Sequence, residues 1–251
     1  MVLARPVLAA MLVAASGLSA AQAPAPLPAP DTRPGSTLPP PGPAAAAPLA
    51  GLTVMLDPGH GGADLGVQAG EYTEASLTLA LATRVAAGLS AQGARCLLTR
   101  DADVELDADT RALRANQAGA QLFLSFHLNR SPRPTVSGAE VYTHAAGEPG
   151  AASTPFTRWD QVQHRHAAAS GELARLLAAS LASRVPVSPV AQRQVPLRLL
   201  ARVDMPAALV EVAYLSHPDQ ASAAGTAAFQ TAVADAVVEA LIRARQGASA
   251  P

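Results

Sequence analysis

The chain has 251 residues and 25.4 kDa, enough for one ordinary domain with extras, and its net charge of −1 offers no basic field for nucleic acid. Aromatic residues make up 3%, too few for the stacking platforms of a single-strand binder. The single cysteine, Cys96, excludes an intramolecular disulfide and a cysteine-based metal cage. It lies in the apolar run Ala94–Leu98, which reads as a buried structural thiol rather than a nucleophile.

Residues 1–23 have the layout of a secretory signal: Arg5, an apolar stretch Val7–Ala15, then small residues through Ala23. The apolar run is short for a membrane span, so no span is expected in the mature protein; an uncleaved anchor is the other reading. Either way the folded part is expected outside the cytoplasm, secreted, periplasmic or wall-associated. Residues 24–50 are rich in Pro, Ala and Gly and predict a disordered, extended linker. The folded domain is expected over 51–246, with 247–251 a disordered tail.

From Leu52 the pattern alternates. Strand 52–57 ends abruptly in Asp57-Pro58-Gly59-His60-Gly61-Gly62, where the backbone must turn. Helix 75–91 carries Leu77, Leu81, Val85 and Leu89 at helical spacing. Strand 94–99, helix 107–118, strand 122–127 and strand 138–143 follow. Residues 145–163 read as a loop and 164–184 as a long helix. Strands at 195–200 and 207–212 precede a closing helix, 229–245. The alternation predicts an α/β domain: a mixed, largely parallel six-stranded sheet with helices on both faces.

Three strands deliver a polar residue at or near their ends: His60, His127 and Glu211. Glu74 starts the first helix, one loop away from His60. Two His and a Glu are the ligand set of a catalytic zinc site, and a further Glu nearby would be a general base. Each residue has a plainer reading. A histidine beside a strand is often a hydrogen-bonded structural residue, and Glu74 suits a helix N-terminus without any metal. Glu211 is harder to explain away, because an ionised carboxylate inside Ala208–Ala213 is costly unless paired or functional. Asp57 could orient a histidine ligand or form a turn before Pro58. Asn129 could contact substrate or cap a loop. His144, His164, His166 and His217 read as solvated. Arg111 is expected to pair with Asp101, Asp103 or Asp107 and to fasten the loop after the second strand.

Several motifs occur in family order: VMLDPGHGGADLG, TEASLTLAL, LLTRDAD, RALRAN, LFLSFHLN, GAEVY and MPAALVEVAYLSHPD. From about Leu52 to Arg243 the chain resembles the zinc-dependent N-acetylmuramoyl-L-alanine amidases of the bacterial cell wall, the amidase-3 group. The resemblance implies one zinc ion held by His60, Glu74 and His127, with Glu211 as catalytic acid and base. It implies hydrolysis of the amide joining N-acetylmuramic acid to L-alanine in peptidoglycan. Glu71 competes with Glu74 as a ligand, but the register of Leu77 and Leu79 favours Glu74.

The sequence departs from the family at Glu74-Ala75-Ser76, where Glu-Lys-Asp is common. It also departs at Leu200-Ala201-Arg202, where Leu-Arg is usual, at Ala213-Tyr214 and at Ser216-His217. Arg202 is therefore a candidate substrate contact displaced by one position. A phosphate-cradling loop is excluded, since no phosphate-loop or dinucleotide pattern surrounds the glycines. A wall-binding protein on a degenerate amidase fold would be expected to lack one of the four site residues. A stem-peptide peptidase has no HExxH helix in its favour. Some relatives carry a long helix that covers the zinc until a protein activator moves it. Residues 145–163, where such an insertion would sit, are short and loop-like and imply an enzyme that acts unaided, although an activator stays open as a partner. A monomer is the default.

Overall fold

A computed structural model describes residues 46–145 and 159–248. The expected signal segment, the linker up to residue 45, most of the 145–163 loop and residues 249–251 lie outside the described residues.

The elements run β1 (Thr53–Pro58), a short hairpin of β2 (Gln68–Ala69) and β3 (Tyr72–Thr73), α1 (Glu74–Ala91), β4 (Arg95–Leu98), α2 (Ala108–Gln117), β5 (Leu122–Asn129) and β6 (Ala139–His144). A 3-10 stretch at Trp159–His166 leads into α3 (Ala167–Ala182), β7 (Val187–Val195), α4 (Arg198–Ala201), β8 (Ala207–Tyr214), α5 (Pro218–Ala224) and α6 (Ala227–Ala248). Six strands form one sheet in the order β4-β1-β5-β8-β6-β7. The first four are parallel, whereas β6 runs against β8 and β7 runs with β6.

Alternation along the strands divides the core in two. Val54, Leu56, Leu124, Phe126, Ala208 and Val210 pack against the α1, α3 and α6 face, with Leu81, Val85, Leu177, Leu181, Val237 and Leu241. Met55, Phe123, Ala207 and Leu209 pack on the opposite face with Ala112 and Ala115 of α2 and Leu200 of α4. The mixed sheet with helices on both faces is as the sequence predicts. Cys96 is half-buried against the first of these clusters, and burial pushes its thiol pKa up, which keeps it unreactive.

Two expectations are corrected. The strand placed at Val195–Leu200 lies earlier, at Val187–Val195, and Arg198–Ala201 is a turn of helix that buries Leu200. β7 is the sheet edge, so it carries exposed Gln192, Arg193 and Gln194 and tolerates Pro189, which cannot donate to a ladder. Its polarity hid it, while the apolar Leu197–Leu200 mimicked a strand. The linker boundary also shifts. Leu49 is fully buried in the core and its N–H donates to Gln92 O at 2.9 Å.

At the carboxyl ends of β1, β4 and β5 sits a buried ionic pin. The fully buried Asp57 carboxylate accepts from Arg111 Nη1 at 2.8 Å, Thr99 Oγ1 at 2.5 Å and Ser125 Oγ at 2.7 Å. Arg111 therefore pairs with Asp57, not with Asp101, Asp103 or Asp107. It still fastens the loop, through Leu106 O at 2.9 Å. Breaking a buried pair leaves an uncompensated charge. Arg111→Met is expected to cost about 3–5 kcal/mol in urea denaturation, whereas removing the exposed Arg175–Glu172 pair should leave the unfolding midpoint nearly unchanged.

Candidate metal centre

β1 cannot continue past Pro58, and the next residues are shaped by close approaches. A Cβ on Gly59 would lie 2.3 Å from His127 Cε1, so only glycine lets that imidazole sit there. His60 has φ of 59°, a left-handed conformation costing on the order of 1–3 kcal/mol for a residue with a Cβ. Its surroundings hold it there. Arg111 Nη2 donates to His60 O at 2.8 Å, and Arg100 reaches Pro58 O at 3.0 Å and Gly59 O at 2.9 Å. Thr78 Oγ1 adds a bond to Gly59 O at 2.8 Å.

Glu74 enters from the other side. Thr73 caps α1 by accepting from Ser76 N at 3.2 Å, which makes Glu74 the first helical residue. Its buried carboxylate turns into the sheet edge. Oε1 lies 3.1 Å from His60 Nε2 and 3.0 Å from His127 Nδ1, and accepts from Leu128 N at 2.9 Å. Oε2 accepts from Val67 N at 2.9 Å. Burial works to raise the Glu74 pKa, but the two imidazoles and the Val67 amide outweigh it and hold the group far below the usual carboxylate range. Burial also opposes protonation of His60, yet Glu74 and Asp64 raise its pKa.

His60, Glu74 and His127 offer ligand atoms that all lie within 4.8 Å of one another. Two imidazole nitrogens this close to one carboxylate oxygen need protons or a cation between them. Zinc–ligand bonds of about 2.0–2.1 Å in a tetrahedron imply ligand spacings of about 3.3 Å. The separations of 3.1 and 3.0 Å fit that set. Glu71, by contrast, is exposed at the β2–β3 turn and stands apart from the cluster.

Glu211 lies directly across the β5–β8 ladder from His127 and across the β8–β6 ladder from Glu140. Its Oε2 is buried with no hydrogen-bond partner. Burial pushes its pKa up to about 7; His127 opposes the shift, while Glu74 and Glu140 add to it. A group poised there can hold or release a proton near neutrality.

Two residues escaped the sequence reading. Asp64 Oδ2 is 2.8 Å from His60 Nδ1, so it, and not Asp57, orients an imidazole. Asp57 is taken up by the Arg111 pin. The signal was an acid four residues after His60 in the same glycine loop. Glu140 is 1% exposed and bonded by Arg193 Nε at 2.8 Å, Tyr214 Oη at 3.2 Å and the Tyr142 hydroxyl. Burial raises its pKa, but these donors prevail and keep it ionised. An acid in the apolar run Ala139–Val141 was the same clue that singled out Glu211.

Asn129 accepts from Arg130 N at 2.8 Å and lies 3.4 Å from Tyr142 Oη, at the rim of the centre. Arg202 pairs with Asp109, in the first turn of α2. His166 meets Asp204 at 2.9 Å and His217 precedes α5; neither joins the cluster. Among the described residues no single helix is long and apolar enough to cross a membrane.

Residues 54–243 match the family model described as N-acetylmuramoyl-L-alanine amidase. The germination-specific N-acetylmuramoyl-L-alanine amidase of Bacillus subtilis is 30% identical over 210 residues, covering 78% of this chain and 81% of that protein. AmiA of Escherichia coli is 28% identical, covering 75% and 74%. Among solved structures, the amidase AmiC2 of Nostoc punctiforme superposes with a TM-score of 0.65 at 26% identity, covering 78% of this chain and 97% of that one. The amidase of Clostridium difficile 630 gives 0.65 at 26%, covering 76% and 95%. On the match across 54–243, this chain belongs to the N-acetylmuramoyl-L-alanine amidase family of peptidoglycan-degrading hydrolases.

Proposed function

We propose that this amidase is zinc-dependent, that His60, Glu74 and His127 hold the ion, and that Glu211 is the general base and acid for cleaving the amide between N-acetylmuramic acid and L-alanine. The observation that carries the reading is the convergence of His60 Nε2 and His127 Nδ1 on Glu74 Oε1, with the unpartnered Glu211 Oε2 one strand away. Zinc bound there supplies a Lewis acid that polarises the scissile carbonyl and acidifies a water. Glu211 accepts the proton of the attacking water and returns it to the departing L-alanine nitrogen. Asp64 fixes the His60 ring, and the Leu128 and Val67 amides fix the Glu74 carboxylate. The secretory reading of residues 1–23 and a wall substrate both support an enzyme acting outside the cytoplasm, secreted or periplasmic.

The raised pKa has a cost. An ordinary glutamate, at about 4.5, is ionised in the unfolded chain above that pH, whereas native Glu211 keeps its proton up to about 7. The native state binds more protons in that window, so stability falls as pH rises through it, and the loss is complete above about 7.

The reading is tested by incubating the purified chain with peptidoglycan and following new amino-terminal alanine. Release is expected with zinc and no added partner, absent with chelator, and reduced roughly a hundredfold to ten-thousandfold by Glu211→Gln. Calorimetry should give one zinc per chain, lost in His60→Ala, Glu74→Ala or His127→Ala; release that survives chelation would sink the proposal. Gly66 has φ of 62°, and a Cβ there would lie 2.6 Å from Glu74 Oε2 and 2.8 Å from His60 Cδ2. Gly66→Ala should therefore weaken zinc binding while circular dichroism stays native. In metal-free protein, Glu211→Gln should raise the melting temperature at pH 8 and do so much less at pH 5; an equal change at both would refute the strained-carboxylate account.

A further inference from the structure

A cleft of about 450 Å³ adjoins the candidate metal centre, lined by Gly66, Val67, Gln68, Arg130, Ser131 and Ser216. Two of its walls belong to the centre itself: Gly66 stands against Glu74 and His60, and Val67 N bonds Glu74. Arg130 lies three residues beyond His127. Its backbone is fixed, since Arg130 N donates to Asn129 Oδ1 at 2.8 Å and Ser131 N to Ser216 Oγ at 3.0 Å. Its side chain is exposed, and it meets no carboxylate among the described residues. Four other arginines near this edge are engaged: Arg111 with Asp57, Arg193 with Glu140, Arg202 with Asp109, and Arg100 with the Pro58 and Gly59 carbonyls. Arg133, further along the same loop, is exposed as well but does not line the cleft.

The substrate is chemically lopsided. The lactyl carboxyl of muramic acid is consumed in the scissile amide and the N-acetylated sugars are neutral. Free carboxylates lie only on the peptide side, beginning with the acidic residue that follows L-alanine. An extended peptide advances about 3.3–3.6 Å per residue, so that carboxylate lies about 7 Å beyond the scissile nitrogen. Arg130, the first residue beyond β5 and three positions after His127, lies within about 10 Å of chain from that ligand, and its long side chain has the reach to meet such a carboxylate. A planar guanidinium is also the side chain best shaped for a carboxylate.

We propose that this cleft receives the stem-peptide side of the substrate, and that Arg130 is a specificity residue binding the free α-carboxylate of the acidic residue after L-alanine. The inference rests on the amidase reading above. It assigns the neutral glycan to the other side of the centre, and it predicts that amidating that carboxylate weakens the substrate.

The test compares two soluble muramoyl peptides, one with the carboxylate free and one with it amidated, on wild-type protein, Arg130→Ala and Arg130→Lys. Charge-assisted hydrogen bonds of this kind correspond to roughly a tenfold to hundredfold difference in affinity. Wild type is expected to favour the free acid by that factor, chiefly in KM, because the contact is present in ground and transition states alike. Arg130→Ala should raise KM for the free acid by the same factor, leave the amidated substrate unchanged and keep wild-type zinc affinity; Arg130→Lys should fall between. Equal KM values for the two peptides on wild type, or no change in Arg130→Ala with zinc still bound, would overturn the assignment of Arg130 and leave the amidase reading standing. No cleavage of either peptide by zinc-loaded wild type would overturn both.

Discussion

The Asp57–Arg111 pair holds the functional edge of this domain together. A buried carboxylate and a buried guanidinium are each expensive alone, so the fold keeps them only because they satisfy one another and their neighbours. Arg111 spends its remaining N–H groups on the carbonyls of Pro58, His60 and Leu106. Arg100 does the same for Pro58, Gly59 and Ala75. Two cations thus hold the carbonyls on either side of a histidine whose backbone would otherwise relax. The strain at His60 persists because the surroundings over-determine it. The pin also joins β1, β4, β5 and α2 at one point, so the position of the imidazole is set by the core.

Two carboxylates within the same edge are driven in opposite directions. Glu74 receives two backbone amides and faces two imidazoles, and these overcome the cost of burial. Glu211 has one carboxylate oxygen buried and unpartnered and two anions nearby, so desolvation wins. The sheet topology makes this contrast. β6 runs against β8, so its first residues, not its last, lie at the carboxyl edge of the parallel strands. Glu140 is delivered beside Glu211 by that reversal, and Arg193 reaches it because β7 runs alongside β6.

The parts of the site that were legible in the sequence break a local pattern. His60 follows a strand in a glycine loop, while His127 and Glu211 interrupt apolar runs that otherwise read as core. Those departures survive in a one-dimensional reading because composition alone marks them. Pairings were not legible. Nothing in sequence spacing says that Arg111 prefers Asp57, 54 positions away, over three nearer aspartates, since the choice depends on which carboxylate the sheet buries. Asp64 was missed for a related reason: a polar residue in a polar loop breaks no pattern. The misplaced strand at Val195–Leu200 has the same origin, because an edge strand looks like a loop until its neighbour is known.

The arginines of this edge show how one residue type serves two ends. A guanidinium whose donors are taken up by carbonyls, or by carbonyls and a buried acid, is a structural clamp with little left to offer a ligand. One held only by its backbone, at the rim of a cleft, keeps its charge for what enters. Arg100 and Arg111 belong to the first kind, 1% and 5% exposed, and Arg130 to the second. The distinction follows from the strand ends. Residues before the last ladder contact are held by the sheet and can point only into packed surroundings, while those just beyond it are anchored but face the cleft. Asn129 is the last paired residue of β5, with its carbonyl bonded by Leu215 N, and Arg130 is the next. Its backbone is as fixed as a strand residue's and its side chain as free as a loop residue's, which is the combination that selective recognition of a charged group requires.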